Sequence, residues 1–262
     1  ATAIAKVPLP LLQLTRLQYE EHTSTTMDIV DRWAFEAFKL NEEKEYFIKT
    51  GTYSSKFDFR NALVRGPKEV RELGEYLLFI HYQANNMASP LVKPAPIYGV
   101  STTNEWVVRE YIRDKEANPC IYHGMPLHTE YRVFVDCDTD EVLSIVPYWE
   151  PETMKHRFAS EGQPDSPKQM HDYVIYKAHE DVLMGRYHEH ESEVRSHIRD
   201  ILPGLVLEGQ WSIDVMQNGD EFWIIDMAPA ENSYFYDSVP PELRRPVKEN
   251  WLPQLDATEG GM

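Results

Sequence analysis

Cysteine is nearly absent from this chain: Cys120 and Cys137 are the only two in 262 residues. They build no disulfide framework and match no zinc-ligand spacing, which makes a reducing, cytoplasmic setting the expectation, with one bridge between them left open. Positive charge is also scarce. Against 43 acidic residues stand 26 Lys and Arg, a net charge of −17. Such a field repels a polyphosphate backbone and excludes a general nucleic-acid binder. A small anionic ligand on this chain needs a local basic pocket or a metal ion. Long apolar runs are missing too: none approaches the roughly 20 residues that span a bilayer, so no membrane partner is expected. The first residues, "ATAIAKVPLPLLQLTRLQ", hold two prolines, no cationic start and no small-residue cleavage site. They read as a packed extended arm, not a secretion signal.

Several catalytic signatures are absent as well. There is no HExxH, no GxSxG elbow and no cysteine–histidine pattern for a covalent nucleophile. Ten histidines are present, notably His179, His188 and His190, but His188 and His190 are two apart and do not share a helix face. A solvated charged face is the expectation for that stretch.

What is present is a soluble composition, 42% hydrophobic and 26% charged, with enough aromatic residues (12%) for a substantial core. Apolar spacing through Ile29, Trp33, Phe35 and Phe38 predicts a helix over 26–40, and a second is predicted over 67–86 with Pro67 near its start. "EYFIKT", "APIYGVS", "EWVVREYI", "EYRVFVDC" and "EVLSIVPYW" read as strands, the last two as a hairpin around "DTDE". Residues 150–170 are polar, carry three prolines and read as a mobile excursion suited to a lid. A long helix is predicted over about 171–201. The stretch 209–233, "GQWSIDVMQNGDEFWIIDMAPAENS", supplies two more strands joined by a turn with Asn-Gly. The fold class is therefore α+β, with two lobes and a cleft.

Three segments carry candidate chemistry. In "FIKTGTYSSKFDF", Lys49 ends an apolar strand and Gly51, Thr52, Ser54, Ser55 and Lys56 follow at once. Such a loop offers N–H and hydroxyl donors to phosphates while the lysine supplies charge; it equally suits a solvated turn. It is not the GxxxxGK[ST] loop. In "TEYRVFVD", Arg132 shares the Phe134 face of a regular strand, where a guanidinium either pairs with an acid or clamps a phosphate. Finally, Asp214 and Asp226 each sit in an apolar run. A buried carboxylate needs compensation. Two of them on neighbouring antiparallel strands can share one magnesium ion, or each can pair with an arginine.

In this order the segments resemble the ATP-grasp superfamily, over roughly residues 45–235. The resemblance implies an ATP-grasp fold: two α+β lobes with the nucleotide in the cleft between antiparallel sheets. It implies an arm and helix over 1–44, an N-lobe over 45–108, a C-lobe over 109–250 and a tail over 251–262. It assigns phosphate contacts to Lys49, a covering loop to Ser54, Ser55 and Lys56, and the adenine–ribose hinge to Glu110, Tyr111 and Ile112. Arg132 would face the phosphates and, with Lys49, act in catalysis; Asp214 and Asp226 would hold magnesium. The chain departs from the family pattern at Ala228, where an asparagine ligand is expected, and Asn232 four residues on is the candidate replacement. Ser212 stands where many peptide ligases carry a basic residue. The likeness is nearer to small standalone grasp proteins, some phage-encoded, than to large carboxylases. The implied function is an ATP- and magnesium-dependent carboxylate–amine ligase acting through an acylphosphate on a small-molecule or peptide carboxylate. The alternative is a nucleotide-binding assembly chaperone with a protein partner and no ligase turnover.

Overall fold

A computed structural model describes residues 2–9, 11–12, 24–87, 103–160, 163–167 and 169–245. In chain order its elements are β1 (Thr2–Lys6), α1 (Ser24–Ala37), β2 (Tyr46–Thr50), β3 (Leu63–Val64), α2 (Gly66–Arg71), α3 (Leu73–Met87), β4 (Glu105–Glu110), β5 (Cys120–Ile121), β6 (Met125–Pro126), β7 (Glu130–Asp136), β8 (Glu141–Pro147), α4 (Pro151–Phe158), β9 (Ala159–Ser160), β10 (Gln163–Pro167), α5 (Met170–Ile201), β11 (Gln210–Asn218) and β12 (Glu221–Pro229). The class is α+β with antiparallel sheets. The strand expected over "APIYGVS" and the tail 251–262 lie outside the described residues. Among the described residues no helix is long and apolar enough to cross a membrane. Both cysteines are free thiols.

The chain divides into two compact units, one of residues 1–128 with 155–180, the other of 129–154 with 181–262. The observed division therefore runs after His128, where the sequence suggested 108, and the arm belongs to the first unit.

In the first unit four strands run in the order β1-β4-β2-β3. The expected arm is thus a strand, with Thr2–Lys6 antiparallel to Arg109–Glu105. Alternation along β2 and β4 sends Tyr46, Ile48, Trp106 and Val108 into the core with Val30, Ala34, Leu73, Leu77 and Ile80 of α1 and α3. The helix expected over 67–86 is two helices that break at Glu72. Gly74 sits where α3 meets the backbone of Val30 and Asp31; a Cβ there would stand 2.7 Å from the Val30 carbonyl.

In the second unit the order is β12-β11-β7-β8. One face of this sheet, with Tyr131, Val133, Val135, Ile213 and Val215, packs on Tyr187, Val194 and Ile198 of α5. Phe134 lies on the other face with Ala230 and Val239 of the segment that follows β12.

The stretch 150–170 contains regular structure instead of a long loop. Glu150 accepts the backbone N–H groups of Glu152 and Thr153 and so caps α4. Met154 and Phe158, four residues apart on one helix face, are fully buried. The short pair β9–β10 follows.

Candidate functional sites in the two units

On the first unit's sheet, Lys49 pairs in register with Val107 and Phe47 with Arg109. These four side chains share the face turned away from the helices. The Arg109 guanidinium lies over the Phe47 ring, 4.8 Å from its centroid. The rings of Phe47, Phe59 and Tyr111 form a chain, with centroids 5.9 and 6.1 Å apart. Lys49 therefore stands on a surface holding a second cation and an aromatic cluster, a combination suited to phosphates and a flat base. Arg109 is the residue that sequence reasoning missed. The alternation that put Lys49 on one face was legible, but the pairing of β2 with β4 was not.

Glu110 differs. It pairs with Tyr46 and so sits on the opposite face from Lys49, where it forms an ion pair with Lys44 and lines a cavity with Phe38, Tyr46 and Val108. The hydrogen bond from Lys44 holds its carboxyl below the usual range. The strand does not bring Lys49 and Glu110 together. Tyr111, one residue on, is the hinge candidate on the Lys49 side; its N–H is donated to the Glu45 carbonyl. Ile112 follows, partly exposed.

The small-residue loop is tied at its base. The Thr50 hydroxyl accepts the Tyr53 N–H and donates to the Tyr53 carbonyl, and Gly51 N–H donates to Glu105. Ser55 is buried and donates to the Gln83 side chain on α3, so its hydroxyl is turned into the unit. Ser54 is half-buried. The Lys56 ammonium lies 5.9 Å from the centroid of Phe57.

In the second unit, β11 lies between β7 and β12, with Asp214 opposite Arg132 on one side and Asp226 on the other. Arg132 donates from Nε and Nη2 to the two Asp214 carboxylate oxygens, both at 2.8 Å. Its plane rests on the Tyr148 ring at 4.8 Å, and Nη1 donates to the Tyr234 carbonyl at 3.3 Å. Burial disfavours the guanidinium's charge, but the Asp214 carboxylate outweighs it and raises the pKa above the ordinary arginine value. Asp214 is only 7% exposed. Its burial is thus compensated by an arginine on the neighbouring strand.

Asp226 is not buried, contrary to its apolar surroundings in sequence. The reason is topological: β12 is the edge strand, and its Trp223 and Ile224 are themselves 41% and 44% exposed. A bulge directly after Asp214 takes up Ile225, since Asp214 pairs with Asp226 but Val215 with Ile224. Ser212 pairs with Ala228, and its hydroxyl lies 2.6 Å from that of Ser233. Asn232 is exposed in a short turn, Ala230–Asn232.

Magnesium binds through one or two carboxylates and completes its shell with water and phosphate oxygens. The exposed Asp226 meets that demand directly; Asp214, facing it across the strand pair, meets it only through the lone pairs that Arg132 leaves, since both of its oxygens accept from that guanidinium. The Tyr148 ring and Tyr234 carbonyl around Arg132 carried no sequence signal, since both depend on tertiary approach.

No family model matches the chain, and a search of curated proteins found no match. Among solved structures it is similar to C-terminally truncated Cdc123 from Schizosaccharomyces pombe, at 13% identity and a TM-score of 0.44, over 94% of this chain and 87% of that one. A second structure of Cdc123 from the same organism gives 12% identity and the same TM-score and coverage. Likeness at this level carries no functional argument, so the reading below rests on the residues.

Proposed function

We propose that this chain binds a magnesium nucleotide and acts as a nucleotide-dependent assembly or interaction protein, without ligase turnover. The observation that carries the reading is the engagement of Arg132. A ligase needs a cation that neutralises charge developing during phosphoryl transfer. Arg132, the candidate for that work, is already clamped by both oxygens of Asp214, and Ser212, at the position basic in many ligases, is bonded to Ser233. Nucleotide binding itself is supported by Lys49 and Arg109 on one face of the sheet beside Phe47 and Tyr111. Asp214 and Asp226 are the residues that would hold magnesium, with Asn232 as a further candidate; when bound, the ion supplies positive charge for an anionic ligand.

Isothermal titration of the whole chain with ATP, with and without magnesium, tests this. Magnesium-dependent binding that Asp226→Ala removes is expected. Undiminished binding in that variant overturns the metal assignment. ADP release measured against pooled amino acids and peptides separates the readings: no acceptor-stimulated turnover is expected, and stimulation restores the carboxylate–amine ligase. The charge of Lys49 and Arg109 is what favours that second reading.

A further inference from the structure

The loop between β4 and β5 gathers oxygen and nitrogen donors that play no part in the reading above. Asp114, Glu116 and Asn118 alternate along it, the i, i+2, i+4 spacing with which loops wrap a cation in oxygen atoms. Ala117, with φ of 55°, bends the backbone between the last two. Two backbone N–H groups, of Glu116 and Asn118, fix the Asp114 carboxylate at 3.1 and 2.6 Å. His128 arrives from beyond the β5–β6 hairpin with its side chain only 5% exposed. One ligand atom each from Asp114, Glu116 and His128 lies within 4.8 Å of the others, and Asp114 Oδ1 is 3.7 Å from His128 Nδ1.

A single atom marks the centre of this group. Asn118 Nδ2 is 2.9 Å from Asp114 Oδ1, 3.4 Å from Glu116 Oε2 and 3.5 Å from His128 Nδ1. A primary amide carries two hydrogens, and here three ligand-type atoms converge on it. Two carboxylates and an imidazole around one electropositive point make the arrangement a cation would adopt, with an amide NH2 standing in its position. On the outer side, Asn118 Oδ1 lies 3.2 Å from His179 Nε2. For a cation to take that central point the amide must withdraw by a metal–ligand distance, about 2.1 Å; turned by half a rotation as it does so, it offers Oδ1 as a fourth ligand and Nδ2 to His179.

The geometry points to a divalent first-row metal site formed by Asp114, Glu116 and His128, with the Asn118 amide oxygen as fourth ligand and His179 orienting that amide. Imidazole suits zinc and the other later first-row metals, and carboxylate and carbonyl oxygens suit manganese; the imidazole disfavours magnesium. With metal–ligand distances of about 2.0–2.2 Å, a tetrahedral site separates its ligand atoms by roughly 3.3–3.6 Å; closure asks only a short approach from Asp114 and His128, 3.7 Å apart, and the larger movement, within the 4.8 Å limit of the group, from the other pairs. His179 then plays the outer part that orients metal ligands generally.

The test uses the whole chain, stripped with a chelator and titrated separately with zinc, manganese and magnesium, with bound metal counted after gel filtration. One equivalent of zinc is expected, weakened at least tenfold by Glu116→Gln and by His128→Ala, while neither variant should alter magnesium-dependent nucleotide binding. That last arm separates this site from the nucleotide site. Should His128→Ala fail to fold, Glu116→Gln decides, because Glu116 is partly exposed. Wild-type affinity for zinc in a folded Glu116→Gln variant overturns the proposal, as does a stripped wild-type chain that takes up no zinc.

Discussion

Replacing Arg132 by Met should be among the most damaging single changes in the second unit. The variant leaves the Asp214 carboxylate buried between β7 and β12 without its two 2.8 Å hydrogen bonds, and removes the cation from the Tyr148 ring. The two side chains are only 13% and 10% exposed, so water screens the pair little. Unit charges about 4 Å apart attract by about 4 kcal/mol at the effective dielectric of such sites. Breaking a buried pair from one side costs about 3–5 kcal/mol, most of it the stranded charge. The stranded charge lies in the second unit, so a readout that reports each segment by itself shows the loss most directly. Hydrogen exchange followed by mass spectrometry in increasing urea is such a readout. Peptides covering 130–136 and 210–218 should lose about 3–5 kcal/mol of protection, while peptides covering 46–50 and 105–110 should change by less than about 0.5 kcal/mol. Adding Asp214→Leu should restore most of the loss, because no charge is then stranded. A loss below about 1 kcal/mol in the single variant, the range of exposed ion pairs, refutes the reasoning.

Asp31 predicts a pH dependence in the first unit. Burial, and secondarily the carboxylates of Glu75 and Glu72, push its pKa up from 3.8 to about 7, against the lowering effect of the Glu75 N–H it accepts. Between those two pH values the folded chain holds one proton more than the unfolded chain. Stability therefore falls as pH rises through that window and levels off above about 7. Urea midpoints at about pH 5 and about pH 8 should differ less in Asp31→Asn than in the parent; an unchanged slope contradicts the assignment. Gly74→Ala forces a Cβ to 2.7 Å from the Val30 carbonyl and 2.8 Å from the Asp31 nitrogen, both backbone atoms that cannot rotate away. A loss of about 1–3 kcal/mol is expected from thermal unfolding of the first unit, and a neutral result means that α1 and α3 separate readily. Because Asp226 is exposed, Asp226→Ala should move stability by less than about 0.5 kcal/mol while removing magnesium-dependent nucleotide binding, read by urea unfolding and calorimetry side by side.

Local pattern made the elements legible. The alternation in "FIKT" and "RVFVD" and the helical spacing of 171–201 each produced the expected element, because neighbouring residues alone determine it. Pairing was not legible. That β11 takes β7 as partner, and so sets Arg132 against Asp214, follows from strand order, which no local pattern encodes. The same gap explains Asp226. "FWIIDM" reads as a buried run, yet an edge position leaves Trp223 and Ile224 half-open. It also explains Glu110, whose parity places it away from Lys49 once β2 and β4 are aligned. In 150–170 the prolines and charges masked a short helix whose signals, a capping Glu150 and the Met154–Phe158 spacing, are visible once sought.

The division of the chain has a consequence for synthesis. The first unit takes residues from both sides of 129–154. Its sheet core is complete in sequence by Val108. The ring contacts from Tyr122 to Phe158, and from Phe158 to Tyr173 and Tyr176, must wait for α4 and the start of α5. While the ribosome makes the intervening β7–β8 hairpin, Tyr122 therefore has the Phe57 ring beside it but lacks that of Phe158. Among the described residues β11 and β12 are the last strands to emerge and carry Asp214 and Asp226, so neither carboxylate of the magnesium candidate exists until the other described strands and the five α-helices have been made.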